Sequence, residues 1–249
     1  NNYTLTMSSG DTISLEDRRP DGDGLRTYSD SVTLEFADGS PTTQQSSFAV
    51  EDFNGMAALN DVAMGALTEL YIAYFNRAPD AIGLNFWGTA FANGTSLEEM
   101  ATLFVGQEET LAAYPPGTSN EVFAETVYNN VLGRTPDQAG FDFWVGQLDS
   151  EAVSRDQFIL EVLGGVQAAS PDRRYLDDKV DIGAYFAVHK GMSDVDDASE
   201  AMALFDGSDA SIDAAVNAID AYYTDALDPT NGEFLMQVVG VLDDPFAFA

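Results

Sequence analysis

The residues of this chain that could do chemistry are almost all carboxylates. Its 249 residues include 42 Asp and Glu against 10 Lys and Arg, one His and no Cys. Paired carboxylates hydrolyse glycosides, and carboxylates gathered in a loop hold hard cations. With so many acids, pairs arise everywhere, so pairing alone singles out no hydrolase site. Loops are more selective. Asp21-Gly22-Asp23-Gly24 is flexible and carries two carboxylates, and Asp225, Asp228, Asn231 and Glu233 cluster around a turn containing Pro229 and Gly232. Asp21, Asp23, Asp225, Asp228, Asn231 and Glu233 are therefore the candidate metal ligands, with Ca2+ as the ion they suit. Neither cluster follows the EF-hand loop, and the tandem glycine–aspartate nonapeptides of calcium β-rolls are absent. A solvated acidic loop is the alternative for each.

Other chemistries lack their residues. Without cysteine there are no disulfides, thiolate nucleophiles or zinc–sulfur sites. The single histidine, His189, stands beside Lys190 and Gly191, where a cation suits the carboxyl end of a helix. No nucleophile elbow, phosphate loop or dinucleotide fingerprint occurs. No catalytic residue is assigned, and the chain is read as a non-enzyme.

A formal charge of −32 repels phosphate backbones and anionic lipids, which argues against nucleic-acid binding. No apolar run is long enough to insert in a membrane. Such self-repulsion is tolerated in a saline medium or one rich in divalent cations, and seawater is both. A marine origin is the expectation. The hydrophobic fraction of 45%, with 16 Phe, 10 Tyr and 2 Trp, is enough for a globular core. The first residues, Asn1-Asn2-Tyr3-Thr4, lack the basic and apolar regions of a classical signal peptide.

The elements that must position these groups change character along the chain. Residues 1–55 read as a small β-rich segment, with alternating runs at Tyr3–Met7, Thr12–Glu16 and Ser31–Phe36. From residue 56 the period becomes helical, with Leu59, Val62, Ala66, Leu67, Leu70 and Tyr74 at three- and four-residue steps. Residues 56–170 hold two tandem helical repeats, about 56–114 and 118–170, separated at Tyr114-Pro115-Pro116-Gly117. Residues 171–249 read as a C-terminal helical segment. Its helices open at Ser170-Pro171, run Ser211–Ala226, and run Gly232–Leu242.

The repeat is the most specific feature. Leu70–Trp87 aligns without a gap on Val127–Trp144, so that Arg77, Pro79, Asp80, Gly83 and Trp87 coincide with Arg134, Pro136, Asp137, Gly140 and Trp144. Each shared residue has a mechanical reading. The arginine lies at a helix carboxyl end, the residue before proline leaves helical geometry, and the aspartate caps the next helix. Arg77 can clasp Asp80, and Arg134 can clasp Asp137. The glycine lets a neighbouring helix approach. Leu84, Trp87 and Phe91 form an apolar stripe, repeated by Phe141, Trp144 and Leu148. A capping box then opens the next helix, Ser96 with Glu99 and Ser154 with Gln157.

Arg77–Trp87 and Arg134–Trp144 resemble a bacterial domain-of-unknown-function family with a tandem R-x-P-D-x-x-G-x-x-F-W motif. That family is found in S-layer-like and hemolysin-type calcium-binding secreted proteins and is related to phycobilisome linker domains. The resemblance covers roughly residues 60–170 and implies an all-helical module used outside the cell. It carries no catalytic residues. The ending Asp243-Asp244-Pro245-Phe246-Ala247-Phe248-Ala249 resembles a type I secretion signal, with an apolar tail packed on the last helix as the alternative.

The expected fold is mainly α, a tandem helical repeat module plus a C-terminal helical segment, with a small N-terminal β element. The expected function is that of a secreted or cell-surface, non-catalytic structural or interaction module of a Gram-negative bacterium. Its partner would be a protein, a cell-surface glycan or, by self-assembly, a second copy. A calcium-dependent adhesin-like component and a carboxylate-based polysaccharide hydrolase are the alternatives.

Overall fold

The computed structural model describes the backbone of four N-terminal strands and residues 55–56, 59–228, 230, 232–237 and 245–246. The chain divides into two compact units, Asn1–Gly55 and Met56–Ala249. The first holds an antiparallel meander, β1 (Asn2–Thr6), β2 (Thr12–Glu16), β3 (Val32–Glu35) and β4 (Pro41–Gln44), in that order. Its register places Leu5 opposite Ile13 and Ile13 opposite Leu34, in keeping with the alternation in the sequence. The fourth strand goes beyond the sequence reading. Pro-Thr-Thr-Gln has no apolar alternation, and its proline is tolerated because it is the first residue of an edge strand.

The second unit is helical. Repeat one comprises α1 (Asp61–Phe75), α2 (Ala81–Ala92), α3 (Leu97–Val105) and a short α4 (Glu108–Ala113). Repeat two comprises α5 (Asn120–Leu132), α6 (Gln138–Asp149) and α7 (Arg155–Gly164). Then come α8 (Pro171–Ala184), a π-helical turn at Tyr185–His189, α9 (Val195–Ala203) and α10 (Asp209–Ala226). No described helix is long and apolar enough to cross a membrane.

Local chemistry sets the helix ends. The Asn60, Ser119, Ser170 and Ser208 side chains accept from backbone N–H groups of α1, α5, α8 and α10. The capping box of α3 is closed, with Glu99 N donating to Ser96 Oγ (3.2 Å) and Ser96 N to Glu99 Oε2 (2.9 Å). In α7 Ser154 N donates to Gln157 Oε1 (3.0 Å). Helices α1 and α5 stop at Asn76 and Gly133, both left-handed (φ 52° and 63°), not at the pre-proline residues Ala78 and Thr135. A left-handed residue turns the last N–H back on the helix, so the stop comes two residues before the proline rule applies.

The core joins both repeats to α8. Helix α3 packs on α7, and α8 packs on both α1 and α5. Phe104 is the hub of the first repeat, with ring centroids 5.3 Å from Tyr71, 5.4 Å from Tyr74 and 5.0 Å from Trp87. Phe158 does the same for the second, 5.4 Å from Trp144 and 5.8 Å from Phe123. Both indoles are half-buried. The two phenylalanines are not sequence-equivalent: Phe104 lies eight residues after its N-cap and Phe158 four after its own. Val62 departs from the expected stripe and is exposed, because the inward face of α1 runs through Met64, Leu67, Thr68 and Tyr71.

The last expected helix is not found over the described part of its range, 232–237. That segment spends its backbone groups elsewhere. Glu233 N donates to Ala226 O (3.0 Å) and Met236 N to Gly191 O (2.8 Å), while Gln237 Nε2 donates to His189 O (2.6 Å). A Cβ on Gly191 (φ +68°) would collide with the backbone of Met236 and Gln237.

Phe104→Ala should cost about 3–5 kcal/mol. Urea unfolding of the full chain measures it, with Trp87 emission shifting to longer wavelength in a Trp144→Phe background.

Candidate functional site

The two Arg-x-Pro-Asp turns are built alike and environed differently. At each, the aspartate caps the following helix: Gly83 N donates to Asp80 Oδ1 (2.7 Å) and Gly140 N to Asp137 Oδ1 (2.9 Å). The shared glycine makes room for that carboxylate. A Cβ on Gly83 would lie 2.6 Å from Tyr71 Oη and 2.7 Å from Asp80 Oδ2, and one on Gly140 3.3 Å from Asp137 Oδ2. At Gly83 the glycine makes room both for the cap and for Tyr71 of the neighbouring helix α1, whereas at Gly140 the nearest atoms all belong to the Asp137 cap.

Each arginine folds back on its own turn and forks a carboxylate from elsewhere. Arg77 Nη1 donates to Ala78 O (2.7 Å), while Nε and Nη2 donate to Glu109 Oε1 (2.5 Å) and Oε2 (2.7 Å) on α4. Asp80 lies at 3.5 Å, a secondary partner. Arg134 Nη1 donates to Thr135 O (3.3 Å), and Nε and Nη2 donate to Asp172 at 3.0 and 2.7 Å at the start of α8. Arg134 pairs with Asp172 where a clasp on Asp137 was expected, because the start of α8 brings that carboxylate to both Nε and Nη2. Arg77 is 3% exposed, with Tyr71 and Phe75 rings 5.2 and 5.4 Å away; Arg134 is 50% exposed. Burial disfavours the Arg77 charge, but the fork on Glu109 outweighs it and raises its pKa. Arg134 in turn holds the Asp172 carboxyl below the usual range. Pro79 is buried and Pro136 half-buried.

Between the second turn, α8 and the start of α10 lies a cleft of about 560 Å³, lined by Arg134, Asp172, Arg174, Tyr175, Asp178 and Asp209. Its charges are committed to one another. Arg174 donates to Asp209 (3.0 Å) and lies 3.9 Å from Asp178. Burial raises the Asp178 carboxyl, and Arg174 opposes it.

Lys179 was not singled out by the sequence reading. It is 2% exposed on α8, and its ammonium donates to Asn130 O (2.8 Å) and to Asn76 Oδ1. Asn130 Nδ2 in turn donates to Ala73 O (3.1 Å). Lys179 thus ties the carboxyl ends of α1 and α5 to α8. Among the described residues no carboxylate forms an ion pair with it, and burial pushes its pKa down to about 7. The signal was in the sequence: Lys179 lies three residues after Leu176 and four before Gly183, on the apolar face.

The metal candidates do not form a site where they are described. Asp228 Oδ1 accepts from Thr230 N (2.7 Å), Asp225 O accepts from Asp228 N (3.0 Å), and Glu233 follows along the chain. Among the described residues, no three His, Cys, Asp or Glu side chains converge to hold a metal ion. Asp21, Asp23 and Asn231 lie outside the described residues.

The two arginines should separate in a stability measurement. Arg77→Ala leaves Glu109 and Ala78 O without their donor and should cost about 2–3 kcal/mol, less than a fully buried pair because Glu109 is partly solvated. Arg134→Ala should cost under about 1 kcal/mol. Urea midpoints of both variants test this. Lys179 gives a pH signature. Its folded pKa, about 7, lies below the unfolded value near 10.5, so the unfolded chain binds more protons between those values. Its contribution therefore makes stability rise with pH from about 7 to 10, by roughly 1 kcal/mol per unit. Subtracting the Lys179→Met profile from that of the wild type isolates this slope.

Residues 101–165, from within α3 to just past the end of α7, match a family described as Domain of unknown function (DUF4214). No curated protein and no solved structure matches the chain. The family match covers the second repeat together with α4 and the end of α3, 65 of the 249 residues.

Proposed function

We propose that the chain is a secreted or cell-surface, non-catalytic interaction module. The observation that carries this reading is a pair of exposed phenylalanines. Phe86 and Phe143 occupy the same position in the two repeats and are 64% and 56% exposed. Each stands edge-on to the following indole, with centroids 5.1 Å apart in both repeats and interplanar angles of 86° and 71°. A single exposed Phe means little. Two at one register, each held by its own indole, form repeated apolar contact points, and Ile82 extends the first by one turn of α2.

Other observations agree. The remaining motif residues are used up in turns, caps and core. Two of the three carboxylates of the 560 Å³ cleft, Asp172 and Asp209, are engaged by Arg134 and Arg174. The formal charge of −32 suits a saline setting. The resemblance to modules of S-layer-like and hemolysin-type secreted proteins supports an extracellular one.

The test is co-sedimentation of the full chain with envelope preparations from Gram-negative bacteria. The wild type should sediment with the envelopes. Phe86→Ser with Phe143→Ser should lower the apparent affinity about tenfold, with unchanged circular dichroism. Failure of the wild type to sediment, or equal retention of the double variant, counts against the reading.

A further inference from the structure

We infer that the open turn of the second repeat, around Pro136, docks a cationic polypeptide segment of another protein, in the place that the chain's own residues 183–198 fill on the first repeat. This rests on the reading of the chain as an interaction module and names the chemistry of one partner.

The first repeat shows how such a turn is covered. Gly183 of α8 comes so close that a Cβ there would lie 2.8 Å from Thr68 Cγ2 and 3.2 Å from Pro79 Cδ. Beyond the π-helical turn the chain crosses the start of α2. Ala81 N donates to Met192 O (2.8 Å), Ile82 N to Ser193 Oγ (3.3 Å) and Ala78 N to Ala198 O (3.3 Å). Ala78, Ala81 and Leu84 are buried as a result. One polypeptide segment thus supplies two carbonyls, a hydroxyl and a glycine contact.

The same surface recurs 57 positions later and is open. Thr68, Ala78, Pro79, Ala81 and Leu84 become Glu125, Thr135, Pro136, Gln138 and Phe141. These five line a pocket of about 230 Å³. Among the described residues, nothing accepts from the backbone N–H groups of Thr135, Gln138 or Ala139, the counterparts of Ala78, Ala81 and Ile82.

The replacements define the occupant. Phe141 is a larger, half-buried apolar floor than Leu84. The exposed Glu125 carboxylate stands where the Thr68 methyl meets Gly183; Asp137, the cap of α6, and Asp142, which accepts from Gln138 Nε2 (2.7 Å), add exposed carboxylates beside it. The cation of this turn, Arg134, is committed to Asp172. A lysine- or arginine-bearing segment is complementary to these carboxylates. A second copy is disfavoured by the formal charge of −32, and residues 183–198 themselves carry Asp194, Asp196 and Asp197.

The probe is a fluorescent peptide with the sequence of residues 180–201 in which Asp194, Asp196 and Asp197 are each replaced by lysine. Anisotropy is read against the full chain at about 150 mM salt. The cationic peptide should bind saturably, and the unaltered acidic peptide should not. Glu125→Thr, which restores the first repeat's residue type, should weaken binding about tenfold. Gln138→Pro removes one exposed donor at a helix position that tolerates proline, and should weaken it comparably with an unchanged melting temperature. Absent binding, equal binding of the acidic peptide, or a loss no larger than that from Glu98→Gln on the distant α3 overturns the proposal. So does concentration-dependent dimerisation that Gln138→Pro abolishes, since a second copy would then be the occupant. These variants leave Phe86 and Phe143 intact, so a negative result here leaves the envelope-binding experiment to judge the broader reading.

Discussion

The two repeats pack directly on each other, α3 on α7 and α1 on α5, and both rest on a helix that belongs to neither. Helix α8 packs on both α1 and α5, and Lys179 sits where the carboxyl ends of those two helices meet it. Helix carboxyl ends attract a cation, while burial without a carboxylate repels one. An amine resolves the conflict, because its neutral form still has two N–H donors for the two oxygens it meets. The left-handed ends of α1 and α5 follow from the same junction. Asn76 supplies one of those oxygens, and Gly133 leaves space for the Tyr175 ring, which also packs under the Lys179 ammonium. Remove the lysine and three helices lose their common anchor.

Around that junction a duplicated sequence acquires two environments. Both turns keep the same backbone course, the same aspartate cap and the same back-bond from arginine to the next carbonyl. Divergence comes from what the rest of the chain brings. In the first repeat α4 adds Glu109, and the segment after α8 closes over the α2 N-terminus. In the second, α8 adds Asp172 at its first turn, and the α6 N-terminus stays open. An identical motif therefore gives one sealed turn and one accessible turn, and the cost of losing each arginine differs accordingly.

Much of this was legible in residue order, and the unread parts have physical reasons. Helix starts were readable because capping is local: Ser96 with Glu99 and Asp80 with Gly83 act within three residues. The arginine partners were not readable, because Glu109 and Asp172 lie 32 and 38 residues away and only packing selects them over the nearby aspartates. The Gly232–Gln237 segment looked helical by composition, yet it spends its backbone groups on Ala226 and Gly191. The aromatic hub shows a subtler limit. Phe104 and Phe158 do one job from positions a helical turn apart, so alignment by caps pairs Phe158 with Met100 instead.

The scarcity of cations has a consequence for how this chain can change. Each described lysine and arginine is already bonded: Arg77 to Glu109, Arg134 to Asp172, Arg173 to Glu69 and Asp177, Arg174 to Asp209, Arg155 to Asn120, Lys190 to Asp220 and Lys179 to the helix ends. Acidic positions on the outside can drift, since one carboxylate more or less alters a field already saturated with its own sign. A basic residue has less freedom, because moving one leaves its partner, a carboxylate or a backbone or amide oxygen, without a donor. Substitution in related sequences should therefore run fast among acids and slowly among the few bases.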